Sequence, residues 1–103
     1  MKELELIVKG RVQGVNFRQE VKRFALDKNL KGFVENLEDG SVRIVLQGRK
    51  ELINEFVFWI KKGPGISFVE DVNLIWRDIS EEHDSFFIKK KNNFFIDKLD
   101  SLK

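Results

Sequence analysis

The chain has 103 residues, which is enough for one domain with a hydrophobic core and too few for two. It combines 42% hydrophobic with 35% charged residues, the balance of a soluble globular domain, and its formal net charge of +2 is too small to indicate a nucleic-acid partner. There is no cysteine, no apolar run long enough to span a bilayer and no signal-peptide pattern at the N-terminus, so disulfides and cysteine-based metal sites are excluded and we expect a cytoplasmic protein.

Two different periodicities predict the first strand and the first helix. Residues 3–9 alternate charged and apolar side chains, which is typical of a half-buried strand. From Asn16 to about Lys28, apolar residues recur at helical spacing along one stripe. Asn16 is a residue type favoured at helix N-caps, with Gln19 three positions on as a capping partner, and Asn29 is a typical helix stop.

The remaining elements are separated by strong turn signals. Asp39-Gly40 predicts a hairpin turn, and Gly63-Pro64-Gly65 ends a helix. The predicted spans are strands over residues 32–37, 41–47, 68–77 and 85–90, and a second helix over residues 51–61. The order βαββαβ with a short extra C-terminal strand predicts a ferredoxin-like α+β sandwich, in which two helices cover one face of an antiparallel sheet.

We place a single domain over residues 1–91 and a C-terminal extension over residues 92–103. The extension is polar with apolar residues interspersed, and Phe95, Leu99 and Leu102 fit helical spacing. A short docked helix and a disordered end both stay open as interpretations of this segment.

The loop between the first strand and the first helix is a predicted anion site. Gly10 and Gly14 can adopt backbone conformations that are closed to other residues, so the loop can turn its N–H groups inward as a cradle. The helix that follows adds free N–H groups and the positive end of its dipole. Arg18 lies in its first turn, and a guanidinium matches two oxygens of a phosphate or carboxylate. We therefore predict a site for an anion, with a phosphoryl group as the first choice.

The residues needed for other kinds of catalysis are scarce. The single histidine, His83, lies in a charged turn over residues 81–84, where we expect it to be solvated, so a serine–histidine relay and a zinc site have no credible ligand or base. The nucleotide-binding pattern GxxxxGK[ST] is not met either. Such a chain can hold an anion and position a water. That chemistry suits an activated substrate such as an acyl phosphate, because its leaving group is a stable carboxylate.

Two motifs resemble the signatures of the acylphosphatase family. Gly10-Arg11-Val12-Gln13-Gly14-Val15-x-Phe17-Arg18 agrees with the first signature at each defined position. Gly32-Phe33-Val34-x-Asn36, followed by Gly40-x-Val42 and then Gly48, agrees with the second. Gly63-Pro64 after the second helix is also similar to the family, and the resemblance covers about residues 4–91.

The resemblance implies a role for each site residue. Arg18 would bind the phosphoryl group together with backbone N–H groups of the loop, and Asn36 would orient the attacking water through its side-chain amide. The implied phosphate-binding residues are Gln13, Gly14, Val15, Asn16, Phe17 and Arg18. The resemblance implies no metal, no cofactor and no covalent enzyme intermediate. It also implies that the substrate phosphate itself accepts the proton of the water. The implied partners are a small acyl phosphate and the product inorganic phosphate, with no nucleic acid and no membrane, and we expect a monomer.

Some positions depart from the family pattern. Glu35 stands where the family usually carries a basic, small or amide residue. Strand alternation places it on the opposite face from Asn36, so we expect little direct effect on the site. Asn16 occupies a variable position, and the absence of tyrosine removes any tyrosine contact. We expect the run Lys89–Lys91 to be a solvated strand end.

Two other functions stay open. The extension leaves room for an accessory or interaction module with little activity. Ferredoxin-like sheets also carry RNA, and residues 31–34 faintly resemble an RNA-recognition signature, although they fall on the second strand and the aromatic spacing fails. We expect Phe33, Phe86 and Phe87 to pack in the core or on the sheet face rather than form a stacking platform.

Overall fold

In the computed structural model, the described residues are 2–90. They form β1 (Lys2–Arg11), α1 (Phe17–Asp27), β2 (Lys31–Asn36), β3 (Val42–Gly48), α2 (Lys50–Lys61), β4 (Phe68–Arg77) and β5 (Phe86–Ile88). The βαββαβ order and the short last strand confirm the predicted ferredoxin-like α+β fold. The extension predicted for residues 92–103 lies outside the described residues.

The five strands form one sheet in the order β4-β1-β3-β2-β5. The pairs β1–β3, β1–β4 and β2–β3 are antiparallel, whereas β5 pairs parallel to β2. The last strand therefore makes the sheet mixed rather than wholly antiparallel. Because β4 and β5 lie at opposite edges, the segment between them must pass from one side of the sheet to the other.

The predicted apolar faces form the core between the sheet and the two helices. α1 packs against β2 and β5, and α2 packs against β3 and β4. Each large apolar side chain removed from water contributes about 1.5–3 kcal/mol to folding. The buried members include Leu4, Leu6, Val8, Val42, Ile44, Leu46, Phe17, Val21, Ile53, Phe56 and Ile60. This core fixes the start of α1 beside the end of β5.

The open face of the sheet carries an ion-pair network. Arg43 contacts Glu5 and Glu35, the latter at 3.1 Å from Nη1, and Arg77 contacts Glu3 and Glu5. Burial opposes ionisation of Glu3 and Glu5, but hydrogen bonds from the two arginines outweigh it and hold the pKa of both carboxyls below the usual value. Glu35 lies on this open face. Its neighbour Val34 pairs with Ile44, and both are buried in the core. Alternation puts Asn36 on the same side as Val34, so the predicted separation of Glu35 from Asn36 is correct.

Aromatic residues pack on both faces of the sheet, as expected. Phe86 is buried in the core, whereas Phe33 lies on the open face with Phe87 at 5.7 Å between ring centroids. His83 is the exception to the prediction: its ring is partly buried at 5.6 Å from that of Phe33. Its backbone N–H donates to Gln47 Oε1, which holds the loop before β5 over the sheet.

Gly10 lies within β1 rather than in the loop. β1 runs beyond the predicted residues 3–9 because its pairing with β4 continues after a bulge between Lys9 and Gly10. Gly10 has φ 133°, and a Cβ built on it would lie 2.1 Å from the backbone oxygen of Phe68. The glycine therefore permits close packing of two strands, and the loop proper begins after Arg11.

Candidate active site

The loop between β1 and α1 has the backbone form of an anion-binding nest. Gly14 has φ 75° and Asn16 has φ 63°, whereas Val15 and Phe17 do not have positive φ. Such alternation turns successive N–H groups toward one side. The backbone N–H groups of residues 14–18 donate to no acceptor within residues 2–90. Since α1 begins at Phe17, its dipole adds to the same concave set of donors.

Asn16 does not cap α1 in the predicted way. It is the residue before the helix, but its side chain makes no capping hydrogen bond and no box with Gln19 forms. A capping side chain needs an extended backbone at that position, and the left-handed conformation of Asn16 does not supply it. Asparagine tolerates this conformation better than most residues, so Asn16 shapes the loop instead. Asn29, with φ 61°, follows the end of α1 as predicted.

Gln13 anchors the loop to the neighbouring hairpin. Its Nε2 donates to the backbone oxygens of Leu37 and Ser41, both at 2.9 Å. These two oxygens flank the turn between β2 and β3, so one side chain joins the loop to the end of β2. Val15 packs partly against the core. Gln13 and Val15 therefore hold the loop in place from outside its concave side.

A cleft of about 300 Å³ opens beside the start of α1. It is lined by Val12, Gly14, Asn16, Phe17, Arg18, Gln19, Ile88 and Lys90. Four of the six predicted loop residues thus come together there, whereas Gln13 and Val15 do not line it. Two cations, Arg18 and Lys90, and no carboxylate line the cleft, and neither cation has a hydrogen bond or ion pair within residues 2–90. The cleft therefore carries positive charge that suits an anion.

Lys90 is exposed, as predicted for the lysine run, but it also lines the cleft, which the sequence analysis did not anticipate. Phe86 and Ile88 face the helices, and the backbone N–H of Lys89 donates to Val34 O at 2.8 Å, which continues the pairing past β5. Alternation then separates the two lysines. The Lys89 ammonium lies 4.9 Å from the Phe33 ring centroid on the open face, whereas Lys90 lines the cleft. Period-two alternation counted from Phe86 is the signal that was available in the sequence.

Asn36 is the last residue of β2 and does not line the cleft itself. Its Oδ1 is buried and accepts no hydrogen bond from residues 2–90. Leaving a buried acceptor unpaired costs about 1–3 kcal/mol, so such a group calls for an explanation. Gln13 binds the backbone of Leu37, the next residue, which ties Asn36 to the loop.

The acidic and histidine side chains of the described residues are too dispersed to form a metal centre. Within residues 2–90, no group of three or more His, Asp or Glu side chains is placed to hold a metal ion. His83 lies with Phe33 on the open face, away from the cleft. No helix in the same stretch is long and apolar enough to cross a membrane.

Comparison with known proteins assigns the family. Residues 4–88 match the family model described as Acylphosphatase. The acylphosphatase of Methanococcoides burtonii is 40% identical over 86 residues, which is 84% of this chain and 90% of that protein. The acylphosphatase of Thermus thermophilus is 43% identical over 76 residues, 74% of this chain and 86% of that protein. The crystal structure of acylphosphatase from Bacillus subtilis superposes with a TM-score of 0.83 at 37% identity, covering 86% of this chain and 99% of that one. The chain therefore belongs to the acylphosphatase family and is an acylphosphatase hydrolase.

Proposed function

We propose that this chain hydrolyses the carboxyl–phosphate bond of acyl phosphates to a carboxylate and inorganic phosphate. A water held by Asn36 attacks a phosphoryl group that is bound by Arg18 and by backbone N–H groups of residues 13–18. The observation that carries the proposal is the cleft at the start of α1. Among residues 2–90, it combines unpaired N–H donors and two cations without a lining carboxylate.

Arg18 and the loop act on the phosphoryl oxygens. The guanidinium donates two parallel hydrogen bonds, and the N–H groups of the nest and of the first turn of α1 receive the remaining charge. These donors are already fixed by the core packing of Phe17 and by the bonds of Gln13. Prearranged donors stabilise the charge of the transition state without reorganising, and in many enzymes this stabilisation accounts for most of the rate enhancement.

Asn36 positions the nucleophile. Its buried Oδ1, which has no partner within residues 2–90, accepts a hydrogen bond from the water and so directs the oxygen lone pair at phosphorus. The phosphate oxygens take the proton of the water, and the carboxylate leaves without acid assistance. This route requires no histidine in the cleft and no bound metal.

The enzyme acts as a cytoplasmic monomer on a small molecule, without a nucleic-acid partner. RNA stacking on the open face is disfavoured because Phe33 is only 7% exposed, with Arg43 and Lys89 over its ring. The remaining alternative is an accessory module with little activity. Strong turnover by the isolated chain would exclude it.

The test is hydrolysis of benzoyl phosphate by the purified chain, with and without a chelator, beside Arg18→Ala. We expect chelator-insensitive turnover in the native protein. Arg18→Ala should lose most turnover and bind phosphate about 10- to 150-fold more weakly, the range for a charge-assisted hydrogen bond. Arg23→Ala is the matched control, since Arg23 lies on the same helix and pairs with Glu20. Normal phosphate affinity in Arg18→Ala would remove Arg18 from the site, and absence of turnover in the folded native chain would leave a binding module.

A further inference from the structure

We propose that Lys90 is a second cationic ligand of the phosphoryl group, beside Arg18. Its ammonium binds phosphoryl oxygens that the guanidinium and the loop N–H groups leave open. This inference rests on the proposed function and deepens it, because it adds a phosphoryl-binding residue from the last strand, outside both sequence signatures.

The strand pairing places Lys90 at the cleft. β5 pairs parallel to β2, and the backbone N–H of Lys89 donates to Val34 O at 2.8 Å, so the strand pairing is held one residue beyond Ile88. Phe86 and Ile88 pack with the core on the helix side of the sheet. Because side chains alternate along a strand, Lys90 lies on that same side. It therefore lines the cleft that Arg18 also lines.

The size of the cleft brings both cations close to one ligand group. At about 300 Å³, the cleft lies at the lower end of the range for small-molecule pockets. A phosphoryl group bound against the nest is therefore near every lining side chain. The lysine ammonium is a point charge on a flexible stem, so it can follow a phosphoryl oxygen over more than one distance.

The charges of the cleft match those of a single phosphoryl group. Such a group carries close to two negative charges at pH 7, and Arg18 supplies only one positive charge. Lys90 supplies the second, and no carboxylate among the described lining residues competes for it. Neither side chain has a hydrogen bond or an ion pair within residues 2–90. Two like charges in one cleft repel each other, and a dianion bound between them is attracted by both.

The two cations contribute to different kinetic parameters. Arg18 lies in the first turn of α1, where the core packing of Phe17 fixes the backbone, so it is a prearranged donor. Lys90 is exposed and flexible, so its ammonium follows the phosphoryl oxygens in the bound substrate and in the transition state alike. An interaction of equal strength in both states lowers KM and leaves kcat unchanged.

The kinetic test uses acetyl phosphate and benzoyl phosphate, which share the phosphoryl group and differ in the acyl group. Lys90→Met should raise KM for both by the same factor, about three- to fivefold, the fold-change of an exposed ion pair, with kcat unchanged. The inhibition constant of inorganic phosphate should rise by that factor too. Lys89→Met removes the same charge from the opposite face of the sheet and should leave all these constants as in the native protein. Lys90→Arg should keep the native KM.

Three kinetic results would overturn the inference while leaving the hydrolase intact. An unchanged inhibition constant of phosphate in Lys90→Met would remove Lys90 from the phosphoryl group. A rise in KM for only one of the two substrates would place Lys90 on the acyl group. Equal effects of Lys89→Met and Lys90→Met would assign the change to the net charge of the protein rather than to a contact in the cleft.

A binding measurement keeps the test valid if neither substrate turns over, in which case the proposed function fails. Sulfate and methanesulfonate are both tetrahedral anions, with two charges and one charge near neutral pH. Native protein should bind sulfate more tightly in NMR titrations, and Lys90→Met should reduce that preference about three- to fivefold. Absence of sulfate binding by native protein, or an unchanged preference in Lys90→Met, would refute the assignment.

Discussion

Replacing Asn36 with leucine should make the protein more stable and far less active. Oδ1 of Asn36 is a buried acceptor without a partner in residues 2–90, and such a group costs about 1–3 kcal/mol. Because Asn36 is only partly buried, and because the water that we place on Oδ1 offsets part of this cost, we take the lower end and expect a gain of about 1 kcal/mol. For a domain of this size, that gain raises Tm by about 4–8 °C.

Activity should move in the opposite direction. If Asn36 positions the attacking water, its loss misplaces the nucleophile, and we expect kcat to fall by about 100-fold or more. Phosphate binding should change little, since the donors lie in the loop and α1. Stability is measured by thermal unfolding monitored with circular dichroism. Benzoyl phosphate kinetics give kcat, and product inhibition gives the affinity for phosphate.

A matched control separates these effects from the loss of any asparagine. Asn73 lies on β4, where it is exposed, and Asn73→Leu should change stability by less than about 0.5 kcal/mol and leave kcat unaltered. Two results would refute the reasoning. A loss of stability in Asn36→Leu would mean that Asn36 is a structural residue, and a native kcat would remove it from the mechanism.

Three further predictions concern the fold. Gly10→Ala should destabilise the protein by about 1–3 kcal/mol, because the added Cβ meets a backbone oxygen of β4 at 2.1 Å, as chemical denaturation will measure. Since the pKa of Glu3 and of Glu5 is lowered in the fold, their contribution to stability should be complete above the ordinary glutamate pKa of about 4.3 and be lost as the pH falls through the lower folded values. Arg77→Met should flatten that acid dependence in unfolding curves recorded against pH. A chain truncated after Lys91 should keep the melting temperature and the benzoyl phosphate turnover of the full chain, as expected for a domain that ends there.

Each of these predictions has an outcome that contradicts it. Gly65→Ala is the control for Gly10, because Gly65 also has positive φ, at 61°, but has open space around it. Equal destabilisation by both substitutions would assign the effect to backbone strain rather than to close strand packing. An acid midpoint unchanged by Arg77→Met would remove the ion pairs from the pH dependence. Loss of activity on truncation would make the extension part of the enzyme.

The sequence by itself determined the elements of this protein and their order. The spacing of apolar residues within a segment indicates whether it forms a strand or a helix, as the alternation of β1 and the apolar stripe of α1 show. This spacing can be read without knowing which other segments the element packs against. The two glycine-containing signatures, with Arg18 and Asn36 at defined separations, likewise indicated the family that the comparisons assign. The predicted face of Glu35 was also correct, because alternation is a local property.

Only the tertiary structure decided how distant segments meet. The sequence pattern suggested that Gly10 is a loop residue. In the structure it allows β1 to pack closely against β4, which lies about sixty residues further along the chain. Asn16 adopts a left-handed conformation and makes no side-chain capping hydrogen bond, so its predicted capping role was wrong. Lys90 reaches the cleft because β5 pairs parallel to β2 and ends beside α1, a pairing that no local pattern records. Contacts between residues far apart in sequence depend on which faces the whole chain buries together, and that choice is made only when the core assembles.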